Sequence, residues 1–283
     1  MRRLFYIAWG LVLHFLTRPA TEVRYWTKCL ADRDSHLRGW ACLHLAGLGD
    51  EAKSALPKLE ELLNDPMLDI RAEAALAVLK LQPGHPQVIP IFEQVLWADP
   101  PATRAVRVFS TAALRRLQTT EPAAGAMLQR LLKDEDQTVR VHACVSLWER
   151  RAELKQVEQT LGEVLRGEDK QAQQVALKFL KKQTEPLADE ILTAMVDNFW
   201  QLPTPTLVAY FIGQQGERGV IGVEVFCAAL ERGPVLVSLA AAQALGRIGP
   251  TAQAAIPALR KATTSADANL ARAAAEALHT VDP

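Results

Sequence analysis

His36, Cys42 and His44 are of the types that hold metal ions, and they fall within nine residues of one another. On a helix, however, Cys42 and His44 point about 200° apart, so one ion cannot take both. Two acidic groups, Asp134-Glu135-Asp136 and Glu168-Asp169, pair carboxylates as acid–base chemistry requires. Each stands just before a segment with helical apolar spacing, where short carboxylates cap exposed backbone N–H groups, and capping accounts for both. No Gly-x-Ser-x-Gly elbow, phosphate-binding glycine loop or dinucleotide fingerprint occurs. The expectation is a chain that is not an enzyme, with no catalytic residues, no metal and no cofactor. Cys29, Cys42, Cys144 and Cys227 lie far apart with no CxxC pair, which fits reduced, buried thiols and a cytoplasmic setting.

The elements that would carry any site are helices. Apolar residues make up 49 % of the 283, enough for a continuous core. Glycines and prolines punctuate segments with apolar residues at helical spacing, and alternating strand patterns are nearly absent. The 32 basic and 32 acidic side chains cancel, which disfavours a nucleic-acid binder, since such chains carry a basic excess.

The helices repeat. Leu37-Arg38, Ile70-Arg71, Val106-Arg107 and Val139-Arg140 each put an aliphatic residue before arginine, with a small residue three places on (Ala41, Ala74, Ser110, Ala143). With arginine as anchor, weaker copies fall at Gln173, Thr206, Ser238 and Ala271. Successive anchors are 33, 36, 33, 33, 33, 32 and 33 residues apart. Places three, four and seven after the anchor are small or apolar and share one face of a helix. Asp34, Asp65, Asp134, Asp136, Asp169 and Asp267 sit in the turns before the anchors, as helix caps would.

Ala55-Leu56-Pro57-Lys58-Leu59, Leu63-Asn64-Asp65-Pro66, Ile70-Arg71-x-x-Ala74-Ala75, Leu245-Gly246-Arg247-Ile248-Gly249-Pro250 and Ala255-Ile256-Pro257-Ala258-Leu259 resemble HEAT repeats. They are similar to the short bacterial HEAT-like kind that includes phycobilisome-lyase relatives. The resemblance covers residues 22–282. It implies an all-α fold, an α-α superhelix of about eight hairpins in which each hairpin is buried by its neighbours. It implies an architecture rather than an activity. Deoxyhypusine hydroxylase relatives share such hairpins and bind iron through His-Glu pairs, and this chain has no His-Glu dipeptide. A lyase-like or chaperone-like role on a modified partner protein is the enzyme-like alternative that the resemblance leaves open.

Ahead of the repeats, Leu4 to Leu16 is apolar apart from Gly10 and His14, between Arg2-Arg3 and Arg18. As a helix it would reach only about 20 Å, short of the ~30 Å hydrocarbon core. Residues 1–18 are expected to form a capping helix, with membrane contact through Leu4–Leu16 as the alternative, and residues 19–283 the solenoid.

If places three, four and seven face the core, places two, five and nine face away. In HEAT-like solenoids the resemblance puts the second helices on the concave, partner-binding face. Those places hold Trp40 and Leu43, Leu76 and Lys80, Phe109 and Arg116, His142 and Val145, Lys182, and Phe211. An aromatic and apolar stripe beside a broken basic row predicts a protein or peptide partner with an acidic edge.

Overall fold

The structure, a computed structural model, describes residues 19–99, 101–117 and 121–282. The expectations for residues 1–18 lie outside the described residues. The chain divides into two compact units at Leu131–Leu132. Among the described residues all regular structure is helical.

The first unit contains α1 (Pro19–Cys29), α2 (Ser35–Leu48), α3 (Leu56–Leu62), α4 (Leu68–Leu81), α5 (Val88–Leu96), α6 (Arg104–Leu117) and α7 (Pro122–Leu131). Even-numbered helices are the second members of hairpins, and α2, α4 and α6 pack successively on one another. The second unit contains α8 (Gln137–Trp148), α9 (Leu154–Arg166), α10 (Lys170–Leu180), α11 (Asp189–Asp197) and α12 (Pro205–Gly213). It continues through α13 (Val223–Arg232), α14 (Val235–Ile248), α15 (Ile256–Ala262) and α16 (Ala268–Val281).

The acidic turns are caps. Asp34 accepts from the His36 N–H, Asp136 from Thr138 and Val139, Asp169 from Gln171 and Ala172, and Asp267 from Leu270. Each satisfies donors that a helix start leaves unpaired. Three hairpins open with a 3-10 turn behind a glycine at positive φ: Gly49, Gly216 and Gly249. Small residues then recur every third position (Ala52 and Ala55, Gly219 and Gly222, Ala252 and Ala255), and all six are buried. That spacing matches the three-residue turn of a 3-10 helix, so the small side chains stack on one edge.

Places three, four and seven after the anchors form the core. Ala41, Cys42 and Leu45, then Ala74, Ala75 and Val78, then Ala143, Cys144 and Leu147 are buried, and Ala241, Ala242 and Leu245 repeat the pattern. The arginine anchors tie one hairpin to the next. Arg38 forks onto Asp65, with Nε and Nη2 at 2.8 and 3.0 Å from the two carboxylate oxygens, and Arg71 reaches Gln94 at 3.0 Å. Arg140 reaches Glu163 at 3.2 Å. At two of the places where arginine lapses, the anchor still donates, now within its own hairpin. The Gln173 amide binds the Leu165 and Gly167 carbonyls, and the Ser238 hydroxyl binds the Ala229 carbonyl at 2.7 Å. Both add donors at the end of the hairpin's first helix, where Asn198 also donates to the Leu165 carbonyl and the Gly233 N–H to the Ala229 carbonyl.

The sixth hairpin corrects the sequence register. Thr206 is not its anchor; Pro205 is. Gly213 packs so closely on Ala244 that a Cβ there would meet the Ala244 Cα at 2.8 Å, and Gly246 stands to Ala277 in the same way. Those pairs align the hairpins one residue earlier than the anchor at Thr206 implied. Proline favours the first helical turn, where its fixed φ fits and its missing N–H costs nothing, and this places the start.

Candidate functional site

On the first unit, α2 presents Trp40 and Leu43, exposed to 41 % and 46 %, and α6 presents Phe109, exposed to 55 %. Lys80 and Arg116 are exposed at the ninth places, and Leu76 is half-buried between the rows. Trp40 is held from beneath: its ring stacks on His44 at 5.7 Å, and His44 lies flat on the buried Trp26 at 4.1 Å. A pile of three rings leaves Trp40 few alternative positions, so an exposed aromatic surface is preorganised. Beside it a hollow of about 240 Å³ is lined by Trp40, Leu43, His44, Gly47, Leu48 and Glu22.

Glu73, the second place of α4, does not point away as its position implied. Its carboxylate folds back onto α2, where a side chain at Gly39 would overlap it. Its Oε2 is buried and makes no hydrogen bond. Burial first, and the neighbouring Asp69 second, push the carboxyl up to about 7.

On the second unit, His142 and Val145 are half-buried and Lys182 is exposed. Phe211 is not a surface residue: it is 6 % exposed, and Val208 is buried with it. The one-residue shift of α12 turns both inward and brings out Tyr210, exposed to 43 %, in the fifth place. The Arg247 guanidinium lies over the Tyr210 ring at 5.3 Å. Tyr210 was missed because its hairpin was aligned on spacing alone; the close approach of Gly213 to Ala244 places it.

Several of the residues first considered for chemistry have structural roles. Cys42 and Cys144 are buried, and burial raises both thiols well above the ordinary range. His44 is stacked between two indoles, and Asp136 and Asp169 cap helices. Among the described residues no three His, Cys, Asp or Glu side chains converge as metal ligands would. Among the described residues, too, no helix is long and apolar enough to cross a membrane.

Residues 23–112 match the family model for HEAT repeats, and residues 239–265 match that for the PBS lyase HEAT-like repeat. No curated protein matches the sequence. Among solved structures the chain is similar to human deoxyhypusine hydroxylase in complex with glycerol, at 21 % identity over 93 % of this chain and 97 % of that one, with a TM-score of 0.35. The two matched segments lie one in each unit and carry buried small residues at the same places of their second helices, Ala41 and Cys42, Ala74 and Ala75, and Ala241 and Ala242, so both units contain HEAT-type repeats.

Proposed function

We propose that the chain is a non-catalytic scaffold that binds a protein partner on the face formed by its second helices. The observation that carries this reading is the preorganised aromatic surface of the first unit, Trp40 on its ring pile and Phe109 half in solvent. Aromatic side chains fixed in the free state lose little entropy on binding and dominate interface energies. The exposed Lys80, Arg116 and Lys182 favour a partner with an acidic edge. Four unpaired cysteines, three of them buried, support a reducing, cytoplasmic setting.

The test is capture of partners from source-cell lysate by the wild type and by a folded Trp40→Ala/Phe109→Ala variant. A protein retained by the wild type should be lost from the variant, with affinity for the purified partner falling at least about tenfold. Equal retention by both would return these residues to packing and sink the proposal.

A further inference from the structure

Within the second unit, second helices pack in sequence except at one place. α8 meets α10, α12 meets α14 and α14 meets α16, whereas α10 and α12 barely touch. The chain leaves α10 at Leu180 and runs through turns and irregular backbone over residues 181–188 before α11 begins. The first helices of the fifth and sixth hairpins, α9 and α11, pack closely, whereas this segment lies between their second helices. A pocket of about 480 Å³ opens between them, with Leu180 and Phe211 in its floor and Lys181, Tyr210, Gln214 and Arg218 on its walls.

The walls are fixed. The Leu187 N–H donates to the Gln215 side chain at 3.0 Å, and Arg218 donates to the Leu187 carbonyl at 2.7 Å and to Asp189 at 2.6 Å. Arg151 forks onto Glu185 from the other side. These ties commit both nearby carboxylates, Glu185 and Asp189, to arginines. The Lys181 ammonium, the Tyr210 hydroxyl and the Gln214 amide, by contrast, make no hydrogen bond among the described residues. Arg247 stands over the Tyr210 ring with no carboxylate partner there. A preformed recess with an apolar floor, free donors at its rim and its acids already neutralised is complementary to a carboxylate on an aliphatic stem.

We infer that this pocket receives an acidic segment of the protein partner, one glutamate-like side chain seating its carboxylate between Lys181 and Tyr210 and its methylenes on Leu180 and Phe211. The inference rests on the proposed scaffold function and names what the partner must carry. The volume, about 480 Å³, exceeds one side chain and leaves room for the peptide flanking it, and exposed Lys178 and Lys182 extend the positive rim along the same helix end.

The test uses the full chain and a fluorophore-labelled pentapeptide, Glu-Glu-Leu-Glu-Glu, read by anisotropy at about 50 mM salt, with the glutamine version of the peptide as control. Binding should require glutamate and weaken at least about tenfold on Lys181→Glu and on Tyr210→Ala, while Lys155→Glu, the same charge change on α9, should cost less than about twofold. Tyr210→Phe, which keeps the ring, should fall between. Amide shifts in the wild type should cluster on residues 180–187 and 210–218. No binding, equal binding of the glutamine peptide, equal loss from Lys155→Glu, or shifts elsewhere would overturn the inference. Glutarate matching the peptide in affinity would also overturn it, by assigning the pocket to a free dicarboxylate. If the pocket variants fail to weaken the peptide while Trp40→Ala/Phe109→Ala still loses the partner, only the pocket falls; the opposite pattern sinks the wider reading instead.

Discussion

Glu73 gives the sharpest quantitative prediction, because its carboxylate sits where it does the fold no good. It lies on the α2 backbone at Gly39, with Oε2 buried and unpaired and Asp69 one turn earlier on the same helix. Its folded pKa is raised from 4.5 to about 7. Below 4.5 the group is protonated in both states and contributes nothing. Between those values the folded chain holds a proton that the unfolded chain has released, so stability falls as pH rises, and the full cost persists above 7. That interval corresponds to about 3 kcal/mol for an unscreened site. The side chain is only half-buried, and solvent screening reduces the cost to about 1–2 kcal/mol. Glu73→Gln keeps the shape and removes the charge. At pH 8 it should raise the unfolding temperature of the first unit by roughly 2–6 °C, and at pH 5 by far less. Differential scanning calorimetry at the two pH values reads the difference directly. Equal shifts at both, or a destabilised variant at pH 8, would refute the assignment.

Other substitutions test how the hairpins are tied. Arg38 and Asp65 are nearly buried against each other, so Arg38→Ala should cost about 3–5 kcal/mol by stranding the carboxylate. Arg38→Met/Asp65→Leu, which removes both charges, should cost much less; urea melts compare them. Gly213→Ala, helix-favouring elsewhere, should destabilise by about 1–3 kcal/mol, because its Cβ meets the Ala244 backbone at 2.8 Å. Gln173→Ala should cost about 1–3 kcal/mol in the same assay by leaving the Gly167 carbonyl without its side-chain donor, while Asn198 still donates to the Leu165 carbonyl at 2.7 Å. Thiol titration with a disulfide reagent should find Cys42 and Cys144 unreactive until the chain unfolds, since burial keeps both protonated and covered.

The hairpin architecture was legible because period, small residues and caps agree at most anchors. Asp34, Asp136, Asp169 and Asp267 could be assigned as caps from position alone, since a short carboxylate before a helical segment has one strong local option. Arginine anchors announced themselves by residue type, but the donor role of Gln173 and Ser238 did not, because these two bond backbone carbonyls of their own hairpin, whereas Arg38, Arg71 and Arg140 reach acceptor side chains of the next. The exposed aromatics Trp40 and Phe109 followed from helical register. Phe211 did not, because one residue of slip turns a helix by about 100° and exchanges an inward for an outward position. Glu73 shows a second limit. Its place on the helix was read, but a long side chain can fold back onto a neighbour's glycine, and nothing within its own helix signals that.

The most direct test of the scaffold reading is site-specific photo-crosslinking in source cells, with a benzophenone amino acid replacing Phe109 on α6 in one strain and exposed Glu93 on α5 in another. The account predicts a discrete crosslinked partner from position 109 and none from position 93. The same adduct from both positions, or one from position 93 alone, would contradict it.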